Sequence, residues 1–285
     1  VRHPRRYRWS MKAVPRESGV RGALVAAAAV VAASALVACN DANAFADEYA
    51  AYLETQPSVE TFRVRPNNTM PGAESVDSTI TLRDGMSDDD VTATIQRLAA
   101  HQVDERIDEH RLRVTFSARD GEAAVTLLVI PGSDNPRMGD RSTLRHWVQR
   151  TRAATVETPT IVALRLWSDA VDATTAASAF PVATAIDAFV ESEPAGLVQL
   201  SVSGADCNLQ WDADDSPTAL AAYRDLIALL PNGVAPAHCR ASSQRPLTEA
   251  SFFITVPRDT APDVVQAMRE RAADLGVPAE ITVAA

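Results

Sequence analysis

Three segments of the chain contain side chains that could bind a metal ion. Asp88-Asp89-Asp90 lies where a helix is expected to start, and acidic residues there also stabilise the positive end of the helix dipole. Asp212 to Ser216 begins like a calcium loop, but Pro217 replaces the glycine that gives such a loop its sharp turn. The third segment surrounds an expected helix end with five polar residues: His101, Asp104, Glu105, Asp108 and His110. Solvated helix ends account for the first and third segments, so we expect no metal site.

Residues suited to nucleophilic catalysis are also few. His238 and Cys239 are neighbours in an expected strand, so their side chains point to opposite faces of the sheet. The chain has no phosphate-binding loop, no dinucleotide-binding glycine pattern, no HExxH motif and no GxSxG motif. The sequence therefore predicts no catalytic, cofactor-binding or metal-binding residue. His146 is expected on a helix surface, and three tryptophans are expected in the core: Trp147, Trp167 and Trp211.

Cys39 is the residue with the most specific chemistry. It follows a basic segment, an uncharged apolar run from Gly22 to Ala38, and the residues Leu36-Val37-Ala38. This arrangement resembles the signal peptide and lipobox of bacterial lipoproteins. The resemblance implies removal of the signal peptide (1–38), lipidation of Cys39, and anchoring on the outer side of the cytoplasmic membrane through a tether (39–43). The alternative is an uncleaved anchor, but the apolar run of 17 residues is shorter than the about 20 that a spanning helix usually needs.

Charge limits the partners of the remaining chain. The 285 residues carry a formal net charge of −10. Residues 1–38 hold seven of the 27 Lys and Arg residues but one of the 37 Asp and Glu residues, so residues 39–285 carry −16. Such a surface repels nucleic acids and anionic lipid headgroups. We therefore expect no nucleic-acid partner, and contact with the membrane through the lipid on Cys39.

Two pairs of segments resemble each other in the same order along the chain. Residues 51–57 match residues 188–194 in size and polarity, and each segment ends a helical pattern at a proline. Residues 150–154 match residues 269–273, and a proline follows five residues after each of them. These matches favour a diverged internal duplication.

The pattern between the matches predicts an α+β fold. Alternating apolar residues indicate strands, and apolar residues three or four apart indicate helices. Each half gives the order β-α-β-β-α-β of a ferredoxin-like unit, preceded by an extra helix and strand. We assign residues 44–168 to the first repeat, 169–180 to a linker and 181–285 to the second repeat.

The two remaining cysteines, Cys207 and Cys239, are predicted to form a disulfide. An even pair outside the cytoplasm is typical of an oxidised pair, and the alternative is two separately buried thiols. In a ferredoxin-like sheet the strands that hold these cysteines are not neighbours. The bond therefore requires either contact at strand ends or a different strand order.

These features favour a non-catalytic lipoprotein that binds another envelope component, such as an envelope protein. The second hypothesis is a small-ligand-binding lipoprotein with a cleft between its halves, where an acidic lining would suit a cationic ligand. The third is an extracytoplasmic enzyme, which would need a histidine such as His101 or His146 beside a carboxylate from the other half.

Overall fold

The computed structural model describes residues 41–70, 73–101, 107–132, 140–191, 199–213, 216–231, 234–242 and 251–285. These residues form six helices and eleven strands. The helices are α1 (41–54), α2 (Asp88–Ala100), α3 (Arg141–Glu157), α4 (Ala179–Glu191), α5 (Ser216–Ile227) and α6 (Pro262–Asp274). None of the described helices combines the length and the apolar character that crossing a membrane requires.

The strands form one mixed sheet and lie in chain order from β1 to β11. Their bounds are β1 (Val59–Met70), β2 (Ala73–Leu82), β3 (Glu109–Ala118), β4 (Ala123–Val129), β5 (Ile161–Leu166), β6 (Ala170–Thr175), β7 (Gln199–Ser203), β8 (Asn208–Asp212), β9 (His238–Ser242), β10 (Ser251–Val256) and β11 (Ala279–Val283). Antiparallel pairs alternate with parallel pairs, and each of the helices α2 to α6 connects the two strands of a parallel pair. The chain therefore repeats an antiparallel strand pair followed by a crossover helix.

All six helices cover the same face of the sheet. Residues paired across neighbouring strands share a face, and one such face is mostly buried and apolar from β2 to β11. Its central row begins with Ile80, Val114 and Leu127, which pair in succession across β2, β3 and β4. Buried side chains from the helices and from this face form one hydrophobic core. We call the opposite side of the sheet the open face.

Consecutive crossovers differ in hand. The strand before α2 and the strand before α3 run in opposite directions, and this reversal continues to α6. Every crossover moves the chain in the same direction along the sheet, and every crossover helix lies on the same face. Reversing the strand direction therefore reverses the handedness of the crossover. Two or three of the five described crossovers are therefore left-handed, whereas such crossovers are right-handed in about 98% of cases.

The structure does not confirm two ferredoxin-like halves. A ferredoxin-like unit is a split β-α-β, with another strand between its parallel strands, but here the parallel strands β2 and β3 are direct neighbours. The segments α1 to β5 and α4 to β11 do share the predicted element order. Their corresponding crossovers, through α2 and α5, have opposite hand, so the two segments cannot be superposed as rigid units.

Two predicted connecting segments contain regular structure. Residues 41–43 of the predicted tether belong to α1. Its apolar residues recur at the spacing of one helix face, and Ala42, Phe45 and Tyr49 are buried. The predicted linker, residues 169–180, contains β6 and the start of α4. Because β6 pairs with both β5 and β7, this segment continues the sheet instead of separating two domains.

Gly204 lies between β7 and β8, against the start of α4. A Cβ atom at this position would lie 2.6 Å from the backbone nitrogen of Ala179. That nitrogen donates a hydrogen bond to the Asp206 carboxylate (2.9 Å), which fixes the helix start. We expect Gly204→Ala to lower the free energy of unfolding by about 1–3 kcal/mol, the usual cost of overpacking, in a urea titration. Ser203→Ala is the control and should change it by less than about 0.5 kcal/mol. Equal effects of the two changes would contradict this close approach.

Candidate functional site

The open face is mostly polar, although it includes the exposed Phe253 of β10, and no described helix covers it. Along each strand its residues alternate with buried ones, as in the pattern of β3, where every second residue is buried. Hydroxyl side chains predominate, and Thr115 and Thr126 contact each other across β3 and β4 at 2.9 Å. The arginines on this face are Arg63, Arg65, Arg111, Arg113, Arg165 and Arg240.

Four of these arginines flank β2 and form what we call the arginine group: Arg63, Arg65, Arg111 and Arg113. Arg65 and Arg111 both pair in register with Asp77, and Arg63 and Arg113 both pair with Thr79. The arginines of β1 and β3 are therefore two strand spacings, about 10 Å, apart. Arg111 forms an ion pair with Glu109 (2.7 Å), and Arg113 forms one with Asp77 (3.1 Å). Arg63 and Arg65 are exposed on the edge strand.

Trp167 extends this polar surface towards the middle of the sheet. The Arg113 guanidinium lies over the Trp167 ring, 5.9 Å from its centroid. The indole N–H donates to Asp172, and the second Asp172 oxygen accepts from the Ser201 hydroxyl at 2.5 Å. The prediction that Trp167 belongs to the core is wrong: it directly follows the buried Leu166 and so falls on the opposite, open face, half-buried.

The acidic residues at the start of α2 have protein partners. The Ser87 side chain caps the helix by accepting from the Asp90 backbone N–H (3.1 Å). Asp88 pairs with Arg152 of α3 at 2.5 Å, and Asp89 pairs with Arg145 at 3.2 Å. These carboxylates connect α2 to α3 and do not converge on a common point.

The predicted polar cluster around the end of α2 is divided between several environments. His101 stacks on Tyr52 with ring centroids 3.5 Å apart, and Asp108 accepts a hydrogen bond from the Glu74 backbone N–H (2.8 Å). Asp104 and Glu105 of this cluster lie outside the described residues, as do Asp214 and Asp215 of the segment that begins like a calcium loop. Within the described part of the chain, no three His, Cys, Asp or Glu side chains are grouped to hold a metal ion.

His110 is buried in β3, contrary to the prediction of a solvated helix end. Its Nε2 lies 2.6 Å from the Ser78 hydroxyl, and the Phe45 and Tyr49 rings of α1 pack edge-on against it. Burial lowers the pKa of His110 to about 3, so the imidazole is neutral at physiological pH. Sequence reasoning missed one signal: His110 lies two positions before Leu112, so it falls on the same face of β3 as the buried apolar residues that follow.

This serine–histidine pair resembles part of a hydrolase site, but its position does not suit catalysis. Ser78 is fully buried, and α1 covers the pair on the helix side of the sheet. Tyr49 of the same helix donates a hydrogen bond to the Leu98 carbonyl of α2 (3.1 Å), and this bond holds α1 over the pair. A substrate would reach the Ser78 hydroxyl only after α1 had moved away, so we interpret the pair as a buried polar contact that positions α1.

Cys207 and Cys239 lie at disulfide distance, with Cα atoms 4.5 Å apart. Cys207 directly precedes β8 and Cys239 lies in β9, and these two strands are parallel neighbours. The different strand order therefore removes the conflict between the predicted fold and the predicted pairing. Cys239 is buried and His238 is exposed, as expected for consecutive strand residues.

The two predicted halves meet without a break in the sheet. β5, β6 and β7 pair in succession, and Trp147 of α3 packs against Phe189 of α4 with ring centroids 6.2 Å apart. His146 lies on the exposed side of α3, as predicted, and Trp147 and Trp211 are buried, as predicted. Comparisons of the chain with protein-family models, with curated proteins and with solved structures give no match.

Proposed function

We propose that the protein is a membrane-anchored, extracytoplasmic lipoprotein that binds the acidic surface of another envelope protein through its open face. The anchoring part of this proposal is based on the lipobox-like residues that end at Cys39. The binding part is carried by one observation: a polar sheet face, rich in arginine, that no described helix covers.

The size of the open face supports a protein partner. Eleven strands about 4.8 Å apart and about 18 Å long give a footprint of about 900 Å², close to the about 800 Å² per partner of a typical stable interface. A contact confined to β1 to β5 would be about half as large and correspondingly weaker.

The charge pattern supports an acidic partner surface. The open face of β1 to β5 carries five arginines and two acids, Asp77 and Glu109, although residues 39–285 have a net charge of −16. Both acids are already paired with arginines. The other three arginines, Arg63, Arg65 and Arg165, are exposed and are available to partner carboxylates. Acidic residues between the arginines would weaken binding of a uniformly anionic polymer, which favours a protein with spaced carboxylates.

Arginine and tryptophan are also the residue types that contribute most to protein interfaces. Arg113 and Trp167 contact each other on the open face, so together they present a planar cationic group beside an aromatic ring. Ser201 and Asp172 hold the indole in position from the neighbouring strands. Trp167, held in this way beside Arg113 of the arginine group, gives the proposed interface a rigid centre.

Photo-crosslinking in intact cells tests the binding surface. A crosslinking amino acid at Thr79, between the arginines, should give a reproducible protein adduct, whereas one at the exposed Gln149 of α3 should not. Reversing two charges with Arg63→Glu and Arg65→Glu should lower the adduct yield about tenfold, because like charges then face each other across the interface. Arg258→Glu, an exposed change away from the open face, is the matched control. Equal adducts from both positions, or a yield unaffected by reversal on β1, would overturn the proposed surface.

Intact mass of membrane-extracted protein tests the anchoring separately. The expected mass is that of residues 39–285 plus a diacylglyceryl group and an acyl chain, with reduction adding the two hydrogens of one opened disulfide. A mass that includes residues 1–38 would contradict processing at Cys39.

A further inference from the structure

The fold begins almost at the proposed anchor. Cys39 precedes the first helical residue of α1, residue 41, by two positions, and two residues span at most about 7 Å. Ala42 is fully buried and Phe45 is 4% exposed, so α1 is packed against the rest of the protein from its first turn. The start of α1 therefore cannot act as a flexible spacer.

The start of α1 lies at one particular end of the sheet. We call this the lower end; it is where β2, β3 and β6 begin. Phe45 packs against His110, the second residue of β3, whereas Val59, just after α1, pairs with Leu82 at the opposite end of β2. The helix therefore runs from the lower end towards the upper end, and its first residue is at the lower end.

We infer that the lower end of the sheet faces the lipid bilayer and that the open face stands upright on the membrane. This inference depends on the proposed membrane anchoring. It holds equally for a lipid on Cys39 and for an uncleaved helix before it, because both end within a few residues of α1. The partner of the lower end is a lipid surface, and the partner of the open face approaches from the side.

The charge of the lower end determines which lipid headgroups it can approach closely. The described turns at this end carry three exposed acids, Asp108, Asp140 and Asp169, which outnumber the exposed Arg141 at the start of α3. They repel anionic headgroups, so the closest approach is expected on zwitterionic lipid. The short tether keeps the lower end near the bilayer even where repulsion opposes contact.

Depth-dependent fluorescence quenching tests this orientation. The full-length anchored protein, extracted from membranes, is placed in phosphatidylcholine vesicles with a nitroxide quencher on the headgroups. A fluorophore is attached at Asp169→Cys, before β6 at the lower end, or at Asp84→Cys, after β2 at the upper end; both positions are exposed acids. The strands separate the two heights by about 20 Å or more.

We expect strong loss of fluorescence at position 169 and little at position 84. Adding anionic phosphatidylglycerol should reduce the loss at 169. A long Gly/Ser spacer inserted between Asn40 and Asp41 should make the two positions equal, because the fold can then turn freely. Equal quenching without the spacer, or stronger quenching at 84, overturns the orientation. A protein that does not bind vesicles, or whose mass shows no anchor, contradicts the proposed anchoring instead.

Discussion

Reduction of the Cys207–Cys239 pair should lower the melting temperature of the protein by about 10 °C. The cysteines are separated by 32 positions in the chain, and joining them restricts the unfolded chain by about 3–4 kcal/mol in the loop-entropy model. In a domain of this size, 1 kcal/mol shifts the melting temperature by about 2–4 °C. Calorimetric scans with and without a thiol reductant measure the difference, and alkylation followed by mass analysis confirms the redox state.

The matched control is the double variant Cys207→Ser and Cys239→Ser, whose melting temperature should not respond to reductant. Both cysteines are buried, so the reductant acts on molecules that have opened locally, and the incubation must continue until mass analysis shows complete reduction. An unchanged transition in fully reduced wild-type protein would show that the pair contributes no cross-link.

Acidification from pH 6.5 to pH 4.5 should lower the free energy of unfolding by about 2–3 kcal/mol through His110 alone. Burial lowers the folded pKa of His110 to about 3, while the unfolded chain has an ordinary histidine pKa near 6.5. Between these values the unfolded state binds a proton that the folded state does not. Stability is therefore complete above pH 6.5 and falls by about 1.4 kcal/mol per pH unit as the pH decreases.

Urea titrations at several pH values measure this slope. His110→Gln removes the titrating group and should flatten the slope above pH 4.5, although its stability at pH 7 should also decrease because the contact with Ser78 changes. His238→Gln is the control, since His238 is exposed on β9, and its slope should match that of the wild type. A wild-type slope that survives in His110→Gln would contradict a buried, neutral His110.

Local patterns in the sequence predict most elements of this fold. The start of α2 is an example, because Ser87 and the following acids carry a complete capping signal, and Val91, Ile95 and Leu98 form its buried stripe. The turn at Gly85 was also predictable, and its φ of 74° explains the glycine. In such segments the local backbone and the buried stripe depend on residues a few positions apart.

Strand order could not be predicted in the same way. A period of two indicates which residues of a strand face the core but not which strand lies beside it. The segment 170–175 was missed because small residues and threonines give β6 a weak apolar alternation, and without β6 the chain appears to have two halves. The open face could not be identified either, because an exposed face becomes visible only when all helices are known to lie on the other side.

A deletion of one strand pair together with its helix would bring two crossovers of the same hand together. If the next crossover kept its handedness, its helix would lie on the open face, or its second strand would be placed back on the side of the strands already formed. Removing two consecutive pairs with their helices avoids this conflict, because the alternation of hand is restored. Gene duplication or loss can therefore lengthen or shorten this sheet only by four strands at a time, and insertions elsewhere should be confined to the turns.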